Sequence, residues 1–187
     1  IHSVFIGGGT PSLISAKGYV WLFDQLKQII PFEQDCEITL EANPGTVEHD
    51  PFVGYLEAGI NRLSIGVQSF NTEHLKKLGR IHSDHDAVSA IHLATEAGFK
   101  RINVDLMHGL PEQTLEQALY DLKIAVENGA THVSWYQLTI EPNTVFFRTQ
   151  PILPVDEVLE DIQEQGEQYL KANGFINYEV SAWRKEQ

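Results

Sequence analysis

Stretches that alternate in polarity from one residue to the next are followed, along this chain, by stretches whose apolar residues return every third or fourth position. The first pattern predicts strands and the second amphipathic helices. Ile1-His2-Ser3-Val4-Phe5-Ile6 reads as a strand. A helix follows, with Tyr19, Leu22, Phe23, Leu26, Ile29 and Ile30 on one face, Ser15 as its cap and Pro31 as its stop. Glu37 to Glu41 alternates as a second strand. Asp50 and Pro51 then open a short helix as N-cap and N1, with Phe52, Tyr55 and Leu56 as its apolar face. Arg62 to Gln68 is a third strand and leads to a short helix from Thr72 to Leu78. Ser83 caps the next helix, whose face is Ala87, Ala90, Ile91 and Ala94, with Gly98 behind it.

A fourth strand, Arg101 to Leu106, precedes a helix opened by Thr114 and Gln117 at capping-box spacing, with Leu115, Ala118, Leu119, Leu122, Ala125 and Val126 inward. The fifth strand, His132 to Leu138, runs into Thr139-Ile140-Glu141-Pro142-Asn143-Thr144. Asp156 begins the last long helix, with Leu159, Ile162, Tyr169 and Leu170 inward and Gly166 among them for close packing. Ile176 to Val180 forms a final strand. Strand and helix alternate five times, the signature of parallel βαβ units. Right-handed crossovers leave an open doubly wound sheet or a barrel. In both, the site lies at the C-terminal ends of the strands.

The polar residues gather at those ends: Gly7 to Thr10, Glu41, Gln68, Asp105 and Thr139. Gly7-Gly8-Gly9 exposes peptide N–H groups where a Cβ would block approach. The same triplet also serves a plain strand-to-helix turn. One acid or amide per strand end suits an organic ligand with several polar groups rather than the shell of one metal. Each residue has a structural alternative. Glu41 can pair with Arg62, Asp105 can satisfy donors of its own turn, and Arg80 can be a solvated charge. His82 and His108 read as hydrogen-bonded loop residues rather than ligands, and Trp135-Tyr136 as core and adjoining surface.

Composition narrows the function classes. With 187 residues the chain can bury one sizeable core, and residues 1–187 read as one domain. A formal net charge of −13 argues against nucleic acid as a partner. No apolar run reaches the roughly 20 residues a membrane helix needs. The lone Cys36 fits a reducing compartment, so a cytoplasmic location is expected, and it cannot hold an iron–sulfur cluster by itself. The chain starts inside a strand and stops at Ser181-Ala182-Trp183 without a terminal element, which reads as truncation at both ends.

Taken together, Gly7-Gly8-Gly9-Thr10-Pro11-Ser12, Glu41-Ala42-Asn43-Pro44-Gly45, Gly66-Val67-Gln68-Ser69-Phe70 and Asp105-Leu106-Met107-His108-Gly109-Leu110-Pro111 resemble the oxygen-independent coproporphyrinogen-III oxidase family of radical S-adenosylmethionine proteins. Trp135 to Thr144 and Tyr178-Glu179-Val180-Ser181 look most like its haem-chaperone branch. The resemblance covers essentially the whole chain. It implies an α/β fold, a partial (β/α)6 TIM-like barrel, here without its first strand and its cluster loop. It implies S-adenosylmethionine as cofactor, and a 4Fe-4S cluster on a Cys-x-x-x-Cys-x-x-Cys loop just upstream of Ile1.

The same resemblance implies roles for single residues. Gly8, Gly9 and Thr10 would contact the methionine part of S-adenosylmethionine, and Glu41 would accept from its ribose or amino group. Gln68, Arg80 and Asp105 match positions that contact a second molecule of it in the oxidase, with Thr139 nearby. The implied chemistry is one-electron reduction of the cofactor by the cluster. Haem binding and transfer to an acceptor protein is the first functional expectation, with haem as a further ligand. Oxidative decarboxylation of coproporphyrinogen III is the second, and an unrelated barrel enzyme acting on a phosphate ester the third. Without the cluster cysteines, the piece is expected to be catalytically silent and to present an open sheet edge.

Overall fold

The computed structural model describes residues 1–45 and 50–186. Five parallel strands run in sequence order: β1 (Ser3–Ile6), β2 (Glu37–Ala42), β3 (Arg62–Gln68), β4 (Ile102–His108) and β5 (His132–Gln137). Between them lie the helices α1 (Ala16–Ile29), α2 (Phe52–Glu57), α3 (Thr72–Lys77), α4 (Asp84–Glu96) and α5 (Leu115–Glu127). After β5 come α6 (Val145–Thr149), α7 (Asp156–Ala172) and the strands β6 (Phe175–Glu179) and β7 (Ala182–Lys185).

Local chemistry sets the helix starts. Ser15 Oγ accepts from Gly18 N at 3.1 Å, and Asn71 Oδ1 accepts from both Glu73 N and His74 N. Ser83 with Asp86, and Thr114 with Gln117, close reciprocal capping boxes. Asp50 behaves differently from the expectation. Helix α2 begins at Phe52 with Pro51 ahead of it, and the Asp50 carboxylate instead accepts from Ala16 N at 2.6 Å. It thus serves the open N-terminus of α1, which has no acid in its own first turn.

The strands alternate, apart from a register shift between Ile65 and Gln68 in β3, and the register puts like with like. Ile38, Leu40 and Ala42 align with Leu63 and Ile65, then Ile102 and Val104, then Val133, in one buried core under the helices. Helices α4 and α5 pack on β3 and β4, and α7 packs on α5. Gly166 of α7 meets Trp135 of β5 so closely that a Cβ there would lie 1.9 Å from the indole. The close packing read from the sequence is present. The opposite face of the sheet is polar: Thr39, Arg62, Ser64, Asn103, Asp105 and Ser134.

Two elements depart from the sequence reading. The loop after β5 folds a short helix, α6, on a Thr144 cap whose Oγ1 accepts from Phe147 N. The end of the chain is a hairpin rather than one strand. β7 pairs antiparallel with both β5 and β6, giving the order β1-β2-β3-β4-β5-β7-β6. A turn at Val180–Ser181 suffices because antiparallel neighbours need no crossover. Asn177 Nδ2 braces it by donating to the carbonyls of Glu179 and Ala182. So Ala182-Trp183, read as an open end, lies in a strand. At the other side β1 pairs only with β2 among the described residues and leaves Phe5 61% exposed.

Candidate functional site

The polar face of the sheet is one hydrogen-bonded surface. Asn103 Nδ2 donates to Ser64 Oγ and Ser134 Oγ, each at 2.9 Å, and to Asp105 Oδ1 at 2.8 Å. Ser64 Oγ donates to Asp105 Oδ2 at 3.1 Å. Burial pushes the Asp105 carboxyl up from its ordinary range, and hydrogen bonds from Ser134, Ser64 and Asn103 only partly offset this. The nearby Glu41 charge pushes the same way. Two acids therefore share this end of the sheet.

Glu41 reaches the glycine loop. Its Oε2 accepts from Gly8 N at 3.2 Å. A Cβ on Gly7 would stand 2.8 Å from the same oxygen, so the missing side chain is what lets the carboxylate approach. Gly8 and Gly9 have φ of +86 and +63, conformations open to glycine. Thr10 caps the 3-10 turn Pro11–Leu13 by backbone alone, its side chain making no cap bond.

Gln68 ends β3 after a register shift and carries φ +70. Its Oε1 accepts from Tyr136 Oη at 2.7 Å, which leaves the amide Nε2 as a donor. A Cβ on Gly66 would lie 3.3 Å from that nitrogen and 2.9 Å from Asn43 Oδ1. Burial pushes the Tyr136 phenol up, and the Asp105 charge adds to this while Arg80 opposes it. Arg80 is exposed at the rim. Thr139 is exposed just beyond β5 and stands apart from the network.

Glu41, Gln68 and Asp105 thus converge with the Gly7–Gly9 loop at one rim. Arg80 adds a cation there, and Thr139 joins only by position. The alternatives for several residues fall away. Arg62 pairs with Thr39 Oγ1 at 3.3 Å and with Glu37 at 3.9 Å rather than with Glu41. Asp105 takes side-chain donors from three strands rather than backbone donors of its own turn. Tyr136 is half-buried, and its hydroxyl joins the polar rim through Gln68. His82 is hydrogen-bonded as expected, its Nε2 lying 3.0 Å from the Val67 carbonyl. His108 is not a loop residue. It ends β4, packs on Trp135 with ring centroids 4.3 Å apart, and leaves Nδ1 without a partner among the described residues.

Ser64, Asn103 and Ser134 were not singled out from the sequence, and Tyr136 was read only as surface adjoining the core. The signal was present in Arg62-Leu63-Ser64-Ile65, Asn103-Val104-Asp105-Leu106 and His132-Val133-Ser134-Trp135. A polar residue at every second position of a central strand marks an inner face that holds water or ligand, since strands buried on both faces read as continuous apolar runs.

The donor set suits a ligand with both an ammonium and a carboxylate. Glu41 and Asp105 offer acceptors. The Gln68 amide and Arg80 offer donors. The missing side chains at Gly7 and Gly66 make room for the Glu41 carboxylate and for the Asn43 and Gln68 side chains at the rim, and this set of donors and acceptors is compatible with S-adenosylmethionine. An iron–sulfur cluster does not fit the residues present. Among the described residues no group of three or more His, Cys, Asp or Glu could hold a metal ion. Cys36 is buried at the N-terminal end of β2, away from the rim. No described helix is long and apolar enough to cross a membrane.

Residues 1–125 match the radical SAM superfamily. The chain is 57% identical over 185 residues to the "Heme chaperone HemW" of Haemophilus influenzae, covering 99% of this chain and 48% of that protein. It is 55% identical to the protein of the same name in Escherichia coli, covering 99% and 49%. The chain therefore spans about half the length of the curated relatives it matches. Among solved structures, the coproporphyrinogen III oxidase HemN of Escherichia coli, described as a radical SAM enzyme, superposes with a TM-score of 0.85. That match is 28% identical and covers 99% of this chain and 43% of the other.

Proposed function

Because the chain belongs to the radical SAM superfamily, we propose that residues 1–187 form one partial-barrel domain that binds S-adenosylmethionine within a protein that binds and transfers haem. The observation that carries the cofactor reading is the convergence of Glu41, Gln68 and Asp105 on the glycine loop, with Gly8 N tied to Glu41. In this reading Gly8, Gly9 and Thr10 present backbone groups to the methionine end of the cofactor. Glu41 accepts from its ammonium or ribose. Gln68, Arg80 and Asp105 meet a second polar end, which a second molecule of the cofactor would also satisfy. The chain's own part is to bind, orient and shield. The cofactor, when bound, supplies the radical chemistry of the superfamily. The cluster has no ligands among the described residues, so no step is derived through it.

Haem transfer is preferred over oxidation because the haem-chaperone relatives are 57% and 55% identical, against 28% for the oxidase. The oxidase is the second reading, supported by its TM-score of 0.85. Calorimetric titration of S-adenosylmethionine tests the site. Glu41→Ala is expected to weaken binding by about 1–3 kcal/mol, since it removes a charged acceptor, and unchanged affinity would take Glu41 out of the site. Two assays at the full length of the relatives separate the readings. A haem complex handed to an acceptor protein supports the chaperone, and decarboxylation of coproporphyrinogen III supports the oxidase.

A further inference from the structure

Gln68 sits in a strained backbone. Its φ is +70, and Ser69 N donates to the carbonyl of Val67, two residues back, at 2.9 Å. That combination is the classic γ-turn, a rare and strained shape for a residue with a side chain. Such a turn persists only where its surroundings over-determine it. Here the surroundings are specific. Asp121 of α5 is 1% exposed, an acid on a helix face that otherwise buries Ala118, Leu122 and Ala125. Its Oδ1 accepts from Phe70 N at 2.7 Å and its Oδ2 from Ser69 Oγ at 2.8 Å. Ser69 Oγ in turn accepts from Asn71 N at 3.0 Å. On the other side the His82 ring bonds the Val67 carbonyl. The Asp121 carboxylate touches neither Gln68 itself nor the polar face. Both of these hydrogen bonds go to the two residues that follow the strained one.

We propose that Asp121 is a positioning residue for the cofactor site, holding the γ-turn through Ser69 and Phe70 and so aiming the Gln68 amide at the ligand. An apolar residue at this place would fill the space but release the two donors. The turn would then relax, and the Gln68 amide would leave the Tyr136 hydroxyl that orients it. A helix on the outer, apolar side of the sheet thus sets the geometry of a side chain on the inner, polar side. The inference rests on the reading that Gln68 meets S-adenosylmethionine, and the experiment separates the two.

The test is a double-mutant cycle read by NMR on the isotope-labelled chain, with S-adenosylmethionine as probe. The variants are Asp121→Leu, Asp121→Asn, Gln68→Ala and Asp121→Leu with Gln68→Ala. Asp121→Asn can still accept from Phe70 N and can donate to Ser69 Oγ, so it is the conservative rescue. Asp121→Leu is expected to weaken binding about tenfold, as expected when a buried donor loses its acceptor, and to move the Gln68 side-chain amide resonances. Asp121→Asn should stay within about twofold of the parent. In the Gln68→Ala background, Asp121→Leu should change affinity by less than about twofold. An equal loss in both backgrounds, or unmoved Gln68 amide resonances in Asp121→Leu, would overturn the proposal. If Gln68→Ala alone leaves affinity unchanged, the ligand reading of Gln68 fails, and the amide resonances then decide the role of Asp121 by themselves. Should Asp121→Leu not fold, Ser69→Ala removes one of the two bonds, and the same shift of the Gln68 amide is expected.

Discussion

Gly7 shows how one absent atom shapes the site. Its backbone is accessible to any residue, so Gly7→Ala should fold. The added Cβ would meet the Glu41 carboxylate at 2.8 Å, and a side-chain end can move away. We expect a melting temperature close to that of the parent and a loss of S-adenosylmethionine affinity of about tenfold or more, the smaller end of what losing one charged hydrogen bond costs. Thermal melting and calorimetry on the same sample check both halves, and an undiminished affinity would show that the Glu41 position does not matter. The glycine loop, Glu41 and Gln68 were legible in the sequence because each stands at or next to the end of a strand, and Asp105 because the sequence reading ended its strand at Leu106, although β4 runs on to His108. Asn103 and Ser134 were not, because they stand inside strands and show their role only once the register aligns them. Asp121 was hidden for another reason. One acid within a helix that also carries Glu116 and Glu127 reads as solvated surface, and only the loop packed against it reveals the burial.

At the scale of elements, the caps and periodicities carried most of the fold. Ser15, Asn71, Ser83 and Thr114 all cap the helices that follow them. Helix α6 and the terminal hairpin were not legible, since a five-residue helix shows little more than one turn of periodicity. Choosing a hairpin over one strand depends on pairing with β5 far back in the chain. The meeting of α7 with β5 gives a direct test of packing. Gly166→Ala places a methyl 1.9 Å from the Trp135 ring, which is wedged in the core and cannot simply swing out. The cost should be about 1–3 kcal/mol or more, the usual range for overpacking. Urea denaturation measures it, and a midpoint equal to the parent's would contradict the close contact.

For the whole molecule, His108, His132 and Asp121 carry the largest shifts between about pH 4 and pH 7 and dominate how stability follows pH there. Burial holds His108 down to about 4, and burial with the charges of Arg62, Arg101 and Arg184 holds His132 down to about 4. Both protonate near 6.5 when unfolded, so between about 6.5 and about 4 the unfolded chain binds more protons and stability falls on acidification. Asp121, pushed by burial from 3.8 to about 7, acts the other way, its contribution being largest in acid and lost as pH rises toward about 7. Two histidines outweigh one acid, so the urea midpoint should drop from pH 6.5 to pH 4, and His108→Gln should flatten that drop. The central claim, that the polar rim binds S-adenosylmethionine, is tested most directly by mapping amide shifts on the labelled chain during a titration with the cofactor. The account predicts shifts at Gly7 to Thr10, Glu41, Gln68 and Asp105, with Cys36, Arg101 and His132 at the far strand ends unmoved. Shifts confined to those far ends, or none at saturating cofactor, would contradict it.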